Sequence, residues 1–266
     1  MSSAATTKSN PQENSAMAKR ILIRADDLGY CEAVNLGIAK TVKEGLIRSV
    51  GLMPNMPTAK AGLDLIAGYD VCLGQHTNVC VGKPVCDPSL IPSLTNENGE
   101  FRSSKEYRSA KEDFVVLDEV ILEIEAQYVK FKELTGREPE YFEAHAVASD
   151  NLFKGLEVVA ERHHLPLLPF ALGGPVKFRN TTIVTSMDSM GPDYDPFTSL
   201  KNAVLKDYAE DECPMFVCHP GYLDWYILQT SSLTVNRTKE VEMLCDPKVK
   251  AWLEEQNVEL VTYRDL

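Results

Sequence analysis

Apolar runs of strand length alternate with amphipathic, helix-like segments along most of this chain. "RILIRA", "SVGLMPN", "DVCLGQHTN", "EYFEAHA", "PMFVCHP" and "VELVTY" have the length and β-branched content of strands, and "LPLLPFAL" is a weaker candidate. Between them, "CEAVNLGIAKTVKEG" carries Ala33, Leu36, Gly37 and Lys40 at helical spacing, with Gly45 as a C-cap. "TAKAGLDLIAGY" follows the second strand. "DEVILEIEAQYVKFKELTG" places Val120, Ile124, Gln127, Tyr128 and Phe131 on one face and stops at Gly136. "DNLFKGLEVVAERHH" aligns Leu152, Leu156, Val159 and Ala160, and "DPKVKAWLEEQN" is the last helix. Strand-helix alternation predicts a parallel sheet covered by helices, because parallel strands need crossovers. Open doubly wound sheets and closed barrels both satisfy the pattern, and both gather function at the C-terminal ends of their strands.

The chain has 266 residues, 44% of them hydrophobic. One α/β domain of about 250 residues accounts for that length, so residues 19–266 are expected to form a single catalytic domain. The Ser/Thr/Ala/Asn-rich residues 1–18 are expected to form a disordered tail. They lack the apolar middle of a secretory signal, and no run is long enough to span a membrane. A net charge of -12 argues against nucleic acid or an anionic membrane as partner. The seven cysteines form no CxxC pair. They read as small buried hydrophobes in a reducing cytoplasm. The Pro/Gly/Asn-rich stretch from Val81 to Tyr107 is long for a connection and is a candidate substrate-covering loop.

Candidate chemistry lies at the strand ends. Asp26-Asp27 closes the first strand, His76 closes "VCLGQH", His145 closes "YFEAH" and His219 closes "MFVCH". In a parallel α/β protein these ends converge on one face. Two adjacent carboxylates behind an apolar strand repel each other unless a cation sits between them or one is a base. Two His and one Asp make a three-ligand set for a divalent ion with open positions, leaving one Asp as base and one His as acid. Imidazoles lean toward zinc, whereas one carboxylate with several waters suits magnesium. His163 and His164 end a helix and read as C-terminal caps. Arg24, inside the first strand beside the acidic pair, reads as a residue that orients a carboxylate or simply pairs with one structurally. Asn55, Tyr222 and Trp225 are candidate substrate contacts, Asn55 after a strand and the two aromatics in the loop after His219. Asp224 lies in the same loop, while solvated roles suffice for Arg237 and Glu240.

"ADDLGY", "GLMPNMPTAKAG", "LGQHTN", "IPSLTNENGEF", "YFEAHAVASDNLF" and "FVCHPGYLD", in that order, resemble the motifs of the YdjC-like carbohydrate deacetylases, from about Arg20 to the C-terminus. The resemblance implies a deformed (β/α) barrel with parallel strands and outer helices. It implies removal of the acetyl group from an N-acetylated, chitooligosaccharide-like sugar, phosphorylated or not. It also implies one divalent ion, Mg²⁺ or Zn²⁺, held by Asp27, His76 and His145, with Asp26 as general base and His219 as general acid. The third motif departs from the family's His-rich "DSHHHVH": Glu143 stands at its leading Asp, and Ala146, Val147 and Ser149 stand at later histidines. A catalytically weakened sugar-binding relative and a barrel enzyme acting on a sugar phosphate are the alternatives. Assembly with further copies of the chain is compatible with every one of these readings.

Overall fold

A computed structural model describes residues 19–266, and the expected tail lies outside them. In chain order the elements are β1 (Lys19–Leu28), α1 (Glu32–Lys43), β2 (Ser49–Leu52), α2 (Ala59–Leu65), β3 (Cys72–Thr77), α3 (Ser104–Ser109), α4 (Leu117–Thr135), β4 (Phe142–Ala144) and α5 (Asp150–His163). There follow β5 (Val176–Phe178), β6 (Thr181–Ser186), α6 (Pro196–Leu205), β7 (Glu212–Cys218), α7 (Trp225–Thr230), α8 (Val235–Cys245), α9 (Pro247–Glu255) and β8 (Val258–Val261). The strands run β4-β3-β2-β1-β7-β6-β5, with β8 beside the start of β1, and every pairing is parallel except β5 with β6. The sheet curls into a half-barrel open between β4 and β5, which is the expected deformed α/β barrel. No helix among the described residues is long and apolar enough to cross a membrane.

Helix α4 buries the face its spacing predicts, Val120, Ile124, Gln127, Tyr128 and Phe131, and Gly136 ends it in the left-handed conformation. Helix α5 likewise buries Leu152, Leu156, Val159 and Ala160. Helix α1 buries Ala33 and Gly37 of the expected face but not all of it. Leu36 is exposed, and the buried side carries Val34, Ile38 and Thr41. Nor is Gly45 a left-handed cap, since Glu44 closes the helix. Gly45 instead lies where any Cβ would come within 2.5 Å of the Leu244 carbonyl oxygen.

"LPLLPFAL" forms no strand. Leu167 makes a single bridge to Phe142 and Leu168 N–H donates to the Phe142 carbonyl. Pro166 and Pro169 have no N–H to continue a ladder. The edge is formed instead by the antiparallel pair β5 and β6, turning at Arg179 with φ +52°. The stretch Val81 to Tyr107 packs Ile91, Leu94, Phe101 and Tyr107 into a core with α4 and α5, so most of it is anchored rather than laid over a site.

Interior packing under the strand ends is tight. A Cβ on Gly74 of β3 would lie 2.4 Å from the Tyr141 ring, which itself stacks on Tyr263 at 4.0 Å. Gly74→Ala is therefore expected to destabilise the fold by about 1–3 kcal/mol through overpacking. A urea midpoint unchanged from wild type would contradict this packing.

Candidate metal centre and cavity

Regular strands alternate their side chains, so Asp26 and Asp27 should face opposite sides of the sheet. In β1 they do not. The register runs Ala25 to Val50 and then Leu28 to Leu52, so β1 carries one extra residue, and Asp27 has φ +79°. This bulge turns both carboxylates into one cavity, of about 730 Å³. The left-handed conformation costs a non-glycine residue on the order of 1–3 kcal/mol. The turn that follows is tied on both sides: Gly29 N–H donates to Asn35 Oδ1 at 2.7 Å, and Thr58 O–H donates to the Gly29 carbonyl at 2.7 Å.

Asp27, His76 and His145 meet at the floor of this cavity. Asp27 Oδ1 lies 3.2 Å from His76 Nε2 and 3.1 Å from His145 Nδ1, and the two nitrogens are 2.9 Å apart. Neither approach to Oδ1 has hydrogen-bond alignment, so that oxygen is buried without a partner. Two imidazole lone pairs at this separation repel unless a proton or a cation lies between them. Bonds of about 2.0–2.2 Å to a tetrahedral ion put ligand atoms roughly 3.3 Å apart. The donor set and its spacing fit a divalent ion.

The surrounding side chains orient these three. On adjacent β3 and β4, His76 and Glu143 are register partners, and the Glu143 carboxylate engages His76 Nδ1. That leaves Nε2 for the centre, the usual arrangement behind a metal-binding imidazole. Arg237 donates to Asp27 Oδ2 at 2.8 Å, so only Oδ1 is free. Tyr30 packs edge-on to His145, with centroids 6.3 Å apart. Burial opposes charge on all three groups at the centre, but their partners outweigh it. Arg237 and His145 hold Asp27 well below the usual carboxylate range, Glu143 and Asp26 hold His76 well above the usual imidazole range, and Asp27 raises His145 to about 9. Asp26, His76 and Glu143 also cluster, but Arg24 already serves both carboxylates, at 2.6 Å and 3.6 Å.

Arg24 is itself fixed by donation to the Tyr263 hydroxyl oxygen at 2.9 Å. It grips Asp26 Oδ2 and leaves Oδ1 buried with no partner. His219 also lines the cavity. Burial lowers its pKa to about 4 despite Asp27 and Asp26, so the ring is neutral near pH 7.

The remaining candidates fall elsewhere. Asn55 donates to the Lys83 carbonyl at 3.0 Å and accepts from Asn78 at 3.0 Å, pinning the start of the long loop rather than lining the cavity. Tyr222 packs on the core under α1, and Trp225 opens α7 with 70% of its surface exposed; neither lines the cavity. Ser149 caps α5. Arg237 and Glu240, read as solvated, are in fact buried on α8. Glu240 accepts from the His219 backbone N–H at 2.6 Å and from Tyr194 O–H at 2.8 Å, while burial lifts its pKa to about 7. Tyr194→Phe removes one of those donors and is expected to cost about 1–3 kcal/mol in urea unfolding. A smaller loss would mean that water replaces the hydroxyl.

The family model for YdjC-like proteins matches residues 20–255. The chain belongs to the YdjC-like family. Among curated relatives, the carbohydrate deacetylase of Geobacillus stearothermophilus is 31% identical, over 94% of this chain and 98% of its own length. The chitooligosaccharide deacetylase of Serratia marcescens is 28% identical, over 94% and 100%. A crystal structure of an Enterococcus faecalis V583 protein superposes with TM-score 0.78 at 24% identity, covering 93% of this chain and 98% of that one.

Proposed function

We propose that the chain is a metal-dependent carbohydrate deacetylase, hydrolysing the acetamide of an N-acetylated sugar of the chitooligosaccharide kind. One observation carries this reading: Asp27 Oδ1, His76 Nε2 and His145 Nδ1 face one another beside a second carboxylate oxygen, Asp26 Oδ1, that nothing else engages. The family relatives supply the substrate class.

Asp27, His76 and His145 would hold the ion, with zinc favoured by the imidazoles and magnesium by the carboxylate. When bound, it supplies Lewis acidity at the scissile amide. Asp26 takes the proton of the attacking water at Oδ1, and Arg24 on Oδ2 fixes that oxygen's direction. His219 faces the same space and delivers a proton to the departing amine. Its ring is neutral at rest, so the proton it delivers is the one drawn from the water by Asp26 and passed on to His219 before the amine departs. Acid and base steps of this kind each contribute on the order of 10²–10⁴ in rate.

Acetate release from N-acetylglucosamine oligosaccharides, free and phosphorylated, tests the reading. The protein is stripped with a chelator and Mg²⁺, Zn²⁺ or Co²⁺ is added back. Loss on stripping and recovery with one of the ions is expected. Undiminished acetate from protein shown by elemental analysis to be ion-free would remove the ion from the mechanism. Absence of acetate under every condition would remove deacetylation.

A further inference from the structure

Besides its polar floor, the cavity is lined by Ser104, Arg108, Glu157 and the Thr230–Ser232 stretch, and by a run of apolar side chains. On β7, Met215 and Val217 share the inward face with His219 at two-residue spacing, and both are buried. Val147, two residues beyond His145, and Leu168, tied to β4 by its N–H, continue this wall. The chain then runs outward through Phe170 and Leu172, which with Met190 stand at the mouth, 44%, 57% and 56% exposed. Apolar side chains therefore line the cavity from the reaction centre to its mouth. Thr185, whose buried hydroxyl has no partner, is a polar group on the same side. A sugar hydroxyl turned toward such a wall would be left unpaired. Large apolar side chains left exposed beside a site mark the place where an apolar group is bound.

We propose that the substrate carries an apolar substituent on its amino sugar, an aryl or alkyl aglycone or a longer N-acyl chain, lying along Met215, Val217, Leu168 and Leu172. The inference rests on the deacetylase reading and narrows its substrate class. Met190 and Met215 suit substituents of varied shape, because the thioether side chain adapts its conformation.

The test compares kcat/KM for the phenyl and methyl β-glycosides of N-acetylglucosamine, and for N-hexanoylglucosamine against N-acetylglucosamine, with the activating ion present. A gain of about tenfold or more for one apolar member is expected from the area it buries. The first pair reports an aglycone and the second an acyl chain. Leu172→Ser with Met190→Ser, two exposed positions that folding does not need, is expected to shrink that ratio to about threefold or less. Equal kcat/KM within each pair overturns the proposal. If none of the four is hydrolysed, calorimetric binding to the ion-loaded protein decides. Tighter binding of the apolar members then supports this inference, with the deacetylase reading left to the oligosaccharide assay, and equal binding overturns the inference.

Discussion

Asp26→Asn is expected to lower kcat for acetate release by 10²–10⁴, on the order of what one general base contributes, with ion uptake unchanged. In the structure Arg24 holds Asp26 Oδ2 at 2.6 Å and the other oxygen is buried without a partner. An asparagine that keeps its carbonyl on Arg24 turns an amide N–H₂ toward the cavity, so a donor replaces the acceptor. The shape of the site is kept and its basicity is lost. Asp27, His76 and His145 do not depend on Asp26 for their orientation, since Arg237, Glu143 and Tyr30 supply it. The measurement pairs kcat with ion stoichiometry from elemental analysis. A variant with a full ion complement and more than about a tenth of wild-type kcat would place the base elsewhere. Lost ion and lost activity together would mean that Asp26 helps to build the centre.

The positions of these groups were legible because strand ends leave a strong signature. An apolar run that stops at Asp, His or His in a parallel α/β pattern has one face on which to put them. That pattern led to Asp26, Asp27, His76, His145 and His219, all of which line the same cavity. The bulge in β1 was not legible. It depends on the match of three residues in β1 against two in β2, and a single sequence does not fix register. The hairpin of β5 and β6 escaped because β5, the edge strand, is only three residues long and β6 carries Thr182, Thr185 and Ser186 among its six residues, without a continuous apolar run. "LPLLPFAL" misled in the opposite sense, since its hydrophobicity serves a cavity wall rather than a strand.

Asn55 was a strand-end polar residue like the others, yet its amide is taken up by loop carbonyls. Arg237 and Glu240 were missed for a different reason. A buried charge is tolerated where its partner waits, and for Arg237 that partner, Asp27, is 210 residues away in sequence. A signal existed. Arg237, Val241 and Leu244 follow one another at helical spacing, which puts the guanidinium on the apolar face of α8.

That burial makes Arg237→Met the substitution with the largest expected effect on stability, about 3–5 kcal/mol, the range seen when one partner of a buried ion pair is removed. Methionine fills much of the space, so the cost is electrostatic rather than a cavity. Asp27 is fully buried, and Arg237 is the partner of its Oδ2, at 2.8 Å. The same guanidinium donates to the Leu233 carbonyl at 2.9 Å and to the His219 carbonyl at 3.4 Å, so the loop after β7 loses its tie as well. An ion held by Asp27, His76 and His145 brings positive charge to the other oxygen of the same carboxylate. Unfolding of chelator-treated and ion-loaded protein should therefore give different penalties for Arg237→Met, with the smaller one in the ion-loaded state. Equal penalties in the two states would mean that the cost lies in the His219 loop rather than in the Asp27 charge. A penalty near zero in both would mean that water takes the place of the guanidinium beside Asp27 and that the ion pair adds nothing to stability.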